Sequence, residues 1–189
     1  SAAAWAREHG LPVHVDGARL WNAAVATGRP EAELVAPADT VSVCFSKGLG
    51  APVGSLLAFA STRREDALRL RRRMGGSLRQ AGVLAAAALH ALRDRPDLAR
   101  DHARAAALAS ALREVGYAVP RAPETNMVVF EVDDAPAFVA AAEQAGLRLG
   151  ALDGRRIRAV THRDLGDADL ARARDVLARL APACGDASA

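Results

Sequence analysis

The sequence predicts an α/β unit followed by a smaller α+β unit. Up to residue 95, short runs of branched and apolar residues end on glycine turns and alternate with helical stretches. From residue 117 onward the pattern reads β–β–α–β–β–α. A long helical stretch joins the two, and the boundary falls inside it near residues 94–100. We therefore divide the chain into 1–95 and 96–189.

The elements follow in order. Residues 2–9 continue a helix that Gly10 stops. PVHVDG is a short strand whose Val13 and Val15 point one way and His14 and Asp16 the other. Residues 18–26 form a short helix or turn, and the polar, proline-bearing stretch to Asp39 is a connection. TVSVCFS (40–46) is a strand ending on the glycine-rich turn KGLGAPVG (47–54). SLLAFA (55–60) is a third strand, apolar throughout and expected to be buried on both faces. Residues 62–74 are a helix with Ala67, Leu70 and Met74 on one side and most arginines on the other, and the run RLRRR (69–73) is a solvated face. GGS (75–77) interrupts. Residues 79–93 form an alanine-rich helix, whose apolar run from Ala81 to Leu89 is expected to be buried. A helix over 97–115 ends at Gly116.

In the second unit, YAVP, NMVVFEV (126–132), LRLGAL and IRAVTH (157–162) read as strands, with helices over 136–145 and 167–180. The last residues, CGDASA, should fray. The strands of the first unit are few and apolar enough to need more sheet and more helices around them. We expect that cover to come from upstream sequence or another chain.

Composition narrows the function classes. Hydrophobic residues make up 51%, enough for a core. No apolar run reaches the ~18 residues of a membrane span, and the charges in SAAAWAREHG break the apolar stretch that a signal peptide needs. The two cysteines, Cys44 and Cys184, lie far apart and make neither a metal knuckle nor a disulfide framework, so we expect no metal site and a reducing, cytoplasmic setting. A net charge of +3 with 4% aromatics gives no nucleic-acid signature.

The basic residues are sharper. Of 25, all but Lys47 are arginine. Coding bias explains the arginines. It leaves Lys47 as either chance or a position where arginine cannot serve. Arginine keeps its charge at any accessible pH, whereas lysine can offer a neutral amine and form an imine with a carbonyl. Lys47 ends one strand on a glycine turn and Asp16 ends another. Ligands of open α/β sheets bind at the carboxyl ends of strands. Taken alone, Asp16 reads as a turn cap and Lys47 as a surface lysine. Together, an imine-forming amine and a carboxylate able to hold a pyridinium proton are what a pyridoxal 5'-phosphate (PLP) enzyme requires.

HVDGARLWNA (14–23), SVCFSKGLGAPVGSLLA (42–58), MGGSLRQAGVLAAAALHAL (74–92), ETNMVVFEV (124–132) and IRAVTH (157–162) together resemble the low-specificity L-threonine aldolases. These are grouped with the aromatic amino-acid β-eliminating lyases, and the resemblance runs from about Leu11 to Leu180. It implies the C-terminal part of a fold type I large domain, a three-layer α/β/α arrangement, followed by a small α+β domain. By the same resemblance Lys47 is the Schiff-base lysine and Asp16 pairs with the pyridine nitrogen. Arg19 and Arg158 hold the substrate carboxylate. Arg79 reaches a cofactor phosphate across a subunit interface, as expected of a homodimer or homotetramer. Only the resemblance places Arg72 near the mouth of the site. The family's phosphate loop and ring-stacking histidine are expected upstream.

The residues themselves suggest further roles. His14 shares the face of Asp16 and is expected to orient it, His162 to pack or hydrogen-bond nearby, and Trp21 to sit in the core. The expected reaction is retro-aldol cleavage of L-threonine or L-allo-threonine to glycine and acetaldehyde. The β-hydroxyl base is left open between water, phosphate and the upstream histidine. The alternatives are a related PLP lyase acting on another β-hydroxy or aromatic amino acid, and an inactive oligomerisation fragment.

Overall fold

The computed structural model describes residues 1–181. It divides after Pro96 into two compact units. Cys184 and the CGDASA tail lie outside the described residues.

The first unit runs α1 (Ala2–Glu8), β1 (His14–Gly17), α2 (Leu20–Thr27), α3 (Glu31–Val35), β2 (Thr40–Cys44), β3 (Ser55–Phe59), α4 (Arg64–Arg73) and α5 (Ala81–Arg93). Its sheet has the order β1-β2-β3. β1 runs parallel to β2 with Asp16 opposite Ser42, and β3 returns antiparallel. The start of the parallel pair is pinned from both sides. The Val13 N–H donates to Asp39 Oδ2 at 2.7 Å, the Asp39 N–H donates to the Val13 carbonyl at 2.8 Å, and His14 Nδ1 shares a hydrogen bond with Thr40 Oγ1 at 2.8 Å. Leu20, Val41 and Val43 form the core beneath, with Val15, Trp21, Leu34, Val35 and Phe45 packed against them.

Three expectations change here. The stretch before Asp39 holds a short helix, α3, preceded by Pro30 and carrying Glu31 and Glu33 in its first turn, where the helix dipole favours them. β3 is not buried on both faces: it is an edge strand, and Leu56 and Leu57 are about half exposed at 50% and 47%. The alanine-rich α5 is not a buried helix either. Ala88 and Ala91 are buried, but Val83 and Leu89 face outward, because only one side of the helix meets a neighbour. On α4 the arginines are exposed as expected, and so are Leu70 and Met74 on the apolar side.

The second unit runs α6 (Leu98–Glu114), β4 (Met127–Glu131), α7 (Ala135–Gln144), β5 (Gly150–Ala151), β6 (Arg156–Val160) and α8 (Asp167–Leu180). Its antiparallel sheet has the order β4-β6-β5. Val128, Phe130, Ile157 and Ala159 turn inward onto Ala105, Leu108, Ala109 and Leu112 of α6 and Leu177 of α8. Tyr117, Phe130 and Phe138 meet edge to face with ring centroids 5.2–5.8 Å apart, a preferred aromatic geometry. The Tyr117 hydroxyl donates to the Leu177 carbonyl at 3.1 Å and fastens α8. α7 begins on Asp134, whose Oδ1 accepts from the Ala137 N–H.

YAVP is not a strand. Tyr117 and Val119 are buried, but the segment makes a single backbone bond to β4, from the Glu131 N–H to the Ala118 carbonyl, and Pro120 has no N–H to continue a ladder. The observed order after α6 is therefore β–α–β–β–α.

Candidate active site

Because β1 and β2 are neighbours and parallel, their carboxyl ends lie on one edge of the sheet. Asp16 is the next-to-last residue of β1, and Lys47 stands three residues beyond β2. Both are exposed at that edge. The geometry therefore brings an amine and a carboxylate to the same rim, where ligands of open α/β sheets bind.

Each is held by its own turn. Asp16 Oδ1 accepts from the Ala18 N–H at 3.0 Å, so the turn-capping role is real. Among the described residues Oδ2 has no partner. Lys47 opens a closed loop. The Phe45 N–H donates to the Gly54 carbonyl, the Ala51 N–H to the Phe45 carbonyl and the Gly50 N–H to the Lys47 carbonyl. Leu49 and Ala51 bury their side chains beneath this loop, which fixes the backbone at Lys47 while its side chain stays in solvent.

Two contacts tie one turn to the other, and neither was anticipated from the sequence. Gly17 lies against β2 so closely that a Cβ there would stand 2.7 Å from the Ser42 carbonyl oxygen. The glycine directly after Asp16 at the strand end was the available signal. In the first turn of α2, the Trp21 indole N–H donates to the Cys44 carbonyl at 3.3 Å, and its ring stacks on Phe45 with centroids 6.2 Å apart. Trp21 packs at the edge of the core, half-buried, and joins the helix after Asp16 to the strand end before Lys47.

His14 does not orient Asp16. Its ring is engaged by Thr40, because the two face each other across the parallel register. Cys44 feels the same rim. Burial pushes its thiol up, but hydrogen bonds to the Ser46 side chain and backbone, the Lys47 charge and a bond to the Lys47 backbone outweigh it, and the thiol falls below its ordinary range.

The arginines are dispersed. Arg19 stands half-buried at the head of α2, and Arg79 is exposed in the turn before α5. Arg72 is exposed on α4, while Arg71 closes the GGS turn by donating from Nε to the Gly76 carbonyl at 2.7 Å. In the second unit Arg158 lies on the solvent face of β6, opposite Val129 of β4 and Gly150 of β5. β6 is the central strand of that sheet, so Arg158 has a neighbour on each side. His162 Nδ1 lies 3.4 Å from Asp164 Oδ2. Among the described residues, the side chains of Arg19, Arg79 and Arg158 carry no hydrogen bond or ion pair. No cluster of three or more His, Cys, Asp or Glu side chains able to hold a metal occurs there, and no helix there is long and apolar enough to cross a membrane.

Residues 1–135 match the family model described as Beta-eliminating lyase. The chain belongs to the beta-eliminating lyase family. It is 42% identical over 173 residues to the low-specificity L-threonine aldolase 1 of Arabidopsis thaliana, an alignment covering 87% of this chain and 48% of that protein. Among solved structures, a provisionally named aromatic amino acid beta-eliminating lyase/threonine aldolase from an Exiguobacterium species superposes with a TM-score of 0.74 at 25% identity, over 93% of this chain and 55% of that one. The S. paucimobilis serine palmitoyltransferase with a bound PLP–myriocin aldimine superposes with a TM-score of 0.68 at 21% identity, over 94% and 49%. This beta-eliminating lyase chain thus has the α/β fold of fold type I PLP enzymes. It spans about half the length of the curated relatives it matches.

Proposed function

We propose that the chain carries the lysine-and-carboxylate rim of a PLP-dependent aldehyde-lyase that cleaves L-threonine or L-allo-threonine to glycine and acetaldehyde. The observation that carries this reading is the shared carboxyl edge of β1 and β2, with Asp16 and Lys47 on it. The 42% identity to a low-specificity L-threonine aldolase supports the choice of reaction. In this reading residues 1–95 are the C-terminal part of the PLP-binding domain, and 96–189 are the small domain.

The rim fits the cofactor chemically. An exposed amine on a rigid loop can take up an aldehyde, and a carboxylate with one oxygen free of hydrogen bonds can hold a ring N–H. When bound, PLP supplies the electron sink that accepts the pair left on Cα as the Cα–Cβ bond breaks. Lys47 Nζ would be the amine that holds the cofactor's aldehyde carbon. The Asp16 carboxylate would accept the ring N–H of the cofactor and offset its positive charge, which a neutral amide could not do. Arg19 and Arg158 take the substrate carboxylate. A guanidinium fork matches it with two parallel hydrogen bonds and so orients the substrate. Arg79 serves a cofactor phosphate across the interface of a homo-oligomer, and the compartment is the cytoplasm.

Borohydride reduction of the PLP-treated enzyme, followed by peptide mass mapping, tests the anchor. The pyridoxyl mass should sit on the peptide containing Lys47. Trapping at no lysine, or glycine release from L-threonine independent of PLP, would refute the reading.

A further inference from the structure

Arg158 has neighbours of very different size on its two sides. Across β6 it faces Val129 on β4 and Gly150 on β5. Its guanidinium leans toward the glycine. A Cβ added at Gly150 would lie 3.8 Å from Arg158 Nη2 and 3.9 Å from Nε. The backbone does not demand glycine there. Gly150 is absent from the residues with positive φ, unlike Gly146 just before it at +82°, so an L side chain enters without backbone strain. The Arg158 guanidinium lies next to the place a side chain would take, at ordinary contact distance from its Cβ.

We propose that Gly150 is a positioning residue that sets the direction of the Arg158 guanidinium, and through it the fit of the amino-acid carboxylate. This rests on the carboxylate role given to Arg158 above. At 3.8 Å a lone Cβ makes an ordinary van der Waals contact, so alanine leaves the guanidinium nearly in place. A β-branched residue reaches ~1.5 Å further with each γ carbon. A γ carbon on the Arg158 side then comes inside contact distance and turns the guanidinium away over the sheet. Charge at the site is then unchanged, but its hydrogen-bonding fork no longer faces the carboxylate.

The test uses the PLP-loaded enzyme and four proteins: wild type, Gly150→Val, Arg158→Ala and the double variant. Glycine binding is titrated through the cofactor's visible absorbance, and KM and kcat are measured with L-threonine. Gly150→Val should weaken glycine binding about tenfold, as expected for one lost charge-assisted hydrogen bond. KM should rise more than kcat falls, while the melting temperature stays near wild type. Gly150→Ala should lose less. In the double variant Gly150→Val should add nothing to Arg158→Ala, since both act through one group. Should Gly150→Val fail to fold, Gly150→Ser, with a single γ atom, carries the same comparison. Wild-type glycine binding in the folded Gly150 variant, or losses that multiply in the double variant, would overturn the proposal while leaving Arg158 its role. Wild-type binding in Arg158→Ala would instead remove the carboxylate reading and this proposal together.

Discussion

Gly17→Ala tests whether the rim depends on how closely β1 meets β2. The new methyl would sit 2.7 Å from the Ser42 carbonyl oxygen and 3.2 Å from Val41 Cγ1. Ordinary contact begins near the 3.4 Å that the same methyl would keep from Leu20 Cβ, so the Ser42 carbonyl must yield by about 0.7 Å. That atom is backbone of the central strand and cannot rotate aside as a side chain could. The strands must therefore separate at the end that carries Asp16. Overpacking of this kind costs about 1–3 kcal/mol, so the melting temperature should fall by at least about 2 °C. The displacement begins at the residue next to Asp16, so PLP affinity should fall as well. Loss of one charge-assisted hydrogen bond predicts about tenfold. Thermal melts with and without PLP, and a PLP titration followed by absorbance, measure both. A variant with wild-type stability and wild-type PLP affinity would refute the claim that the close approach sets the rim.

Lys47→Arg keeps the charge but cannot form an imine. Borohydride should then trap no pyridoxyl peptide and multiple turnover should be lost, which absorbance and a glycine assay would show. Asp16→Asn keeps the shape and the Ala18 cap but removes the charge expected to hold the pyridinium. Turnover should drop by about 10²-fold or more in steady-state kinetics. Burial pushes Tyr117 up to about 12, so its neutral form is favoured in the fold. That contribution is fully present below the ordinary tyrosine value near 10 and is lost as pH rises through 12. Tyr117→Phe should abolish this alkaline loss in urea melts. At neutral pH it should cost about 1 kcal/mol by leaving the Leu177 carbonyl without its donor.

The rim was legible because its signals are local. A lysine among arginines, an aspartate before a glycine and two β-branched runs all sit within a few residues of the chemistry they imply. Helices α6 and α8 were legible for a related reason. α6 ends at Glu114 and is closed by Gly116 with φ +95°, and α8 repeats leucines on one face. The Trp21 bond to Cys44 was not legible. It crosses 23 residues and depends on how α2 settles on the sheet, which no periodicity reports. YAVP was misread because alternation of buried Tyr117 and Val119 is what a strand shows. The structure satisfies that alternation with an extended segment that bonds to β4 once.

The larger misreading concerns burial, and its pattern is instructive. Of the eleven large hydrophobic residues exposed among the described residues, ten lie in the first unit and only Leu152 in the second. A hydrophobic pattern states how much cover a segment requires, while exposure states how much it receives. In the second unit the two agree. The inward residues Val128, Phe130, Ile157 and Ala159 of β4 and β6 share one buried core with residues of α6 and α8. In the first unit they part at β3, α4 and α5, whose apolar residues Leu56, Leu70 and Val83 face outward. The burial expected of SLLAFA and of residues 81–89 is therefore not what the structure shows: Leu56, Leu57, Val83 and Leu89 are exposed.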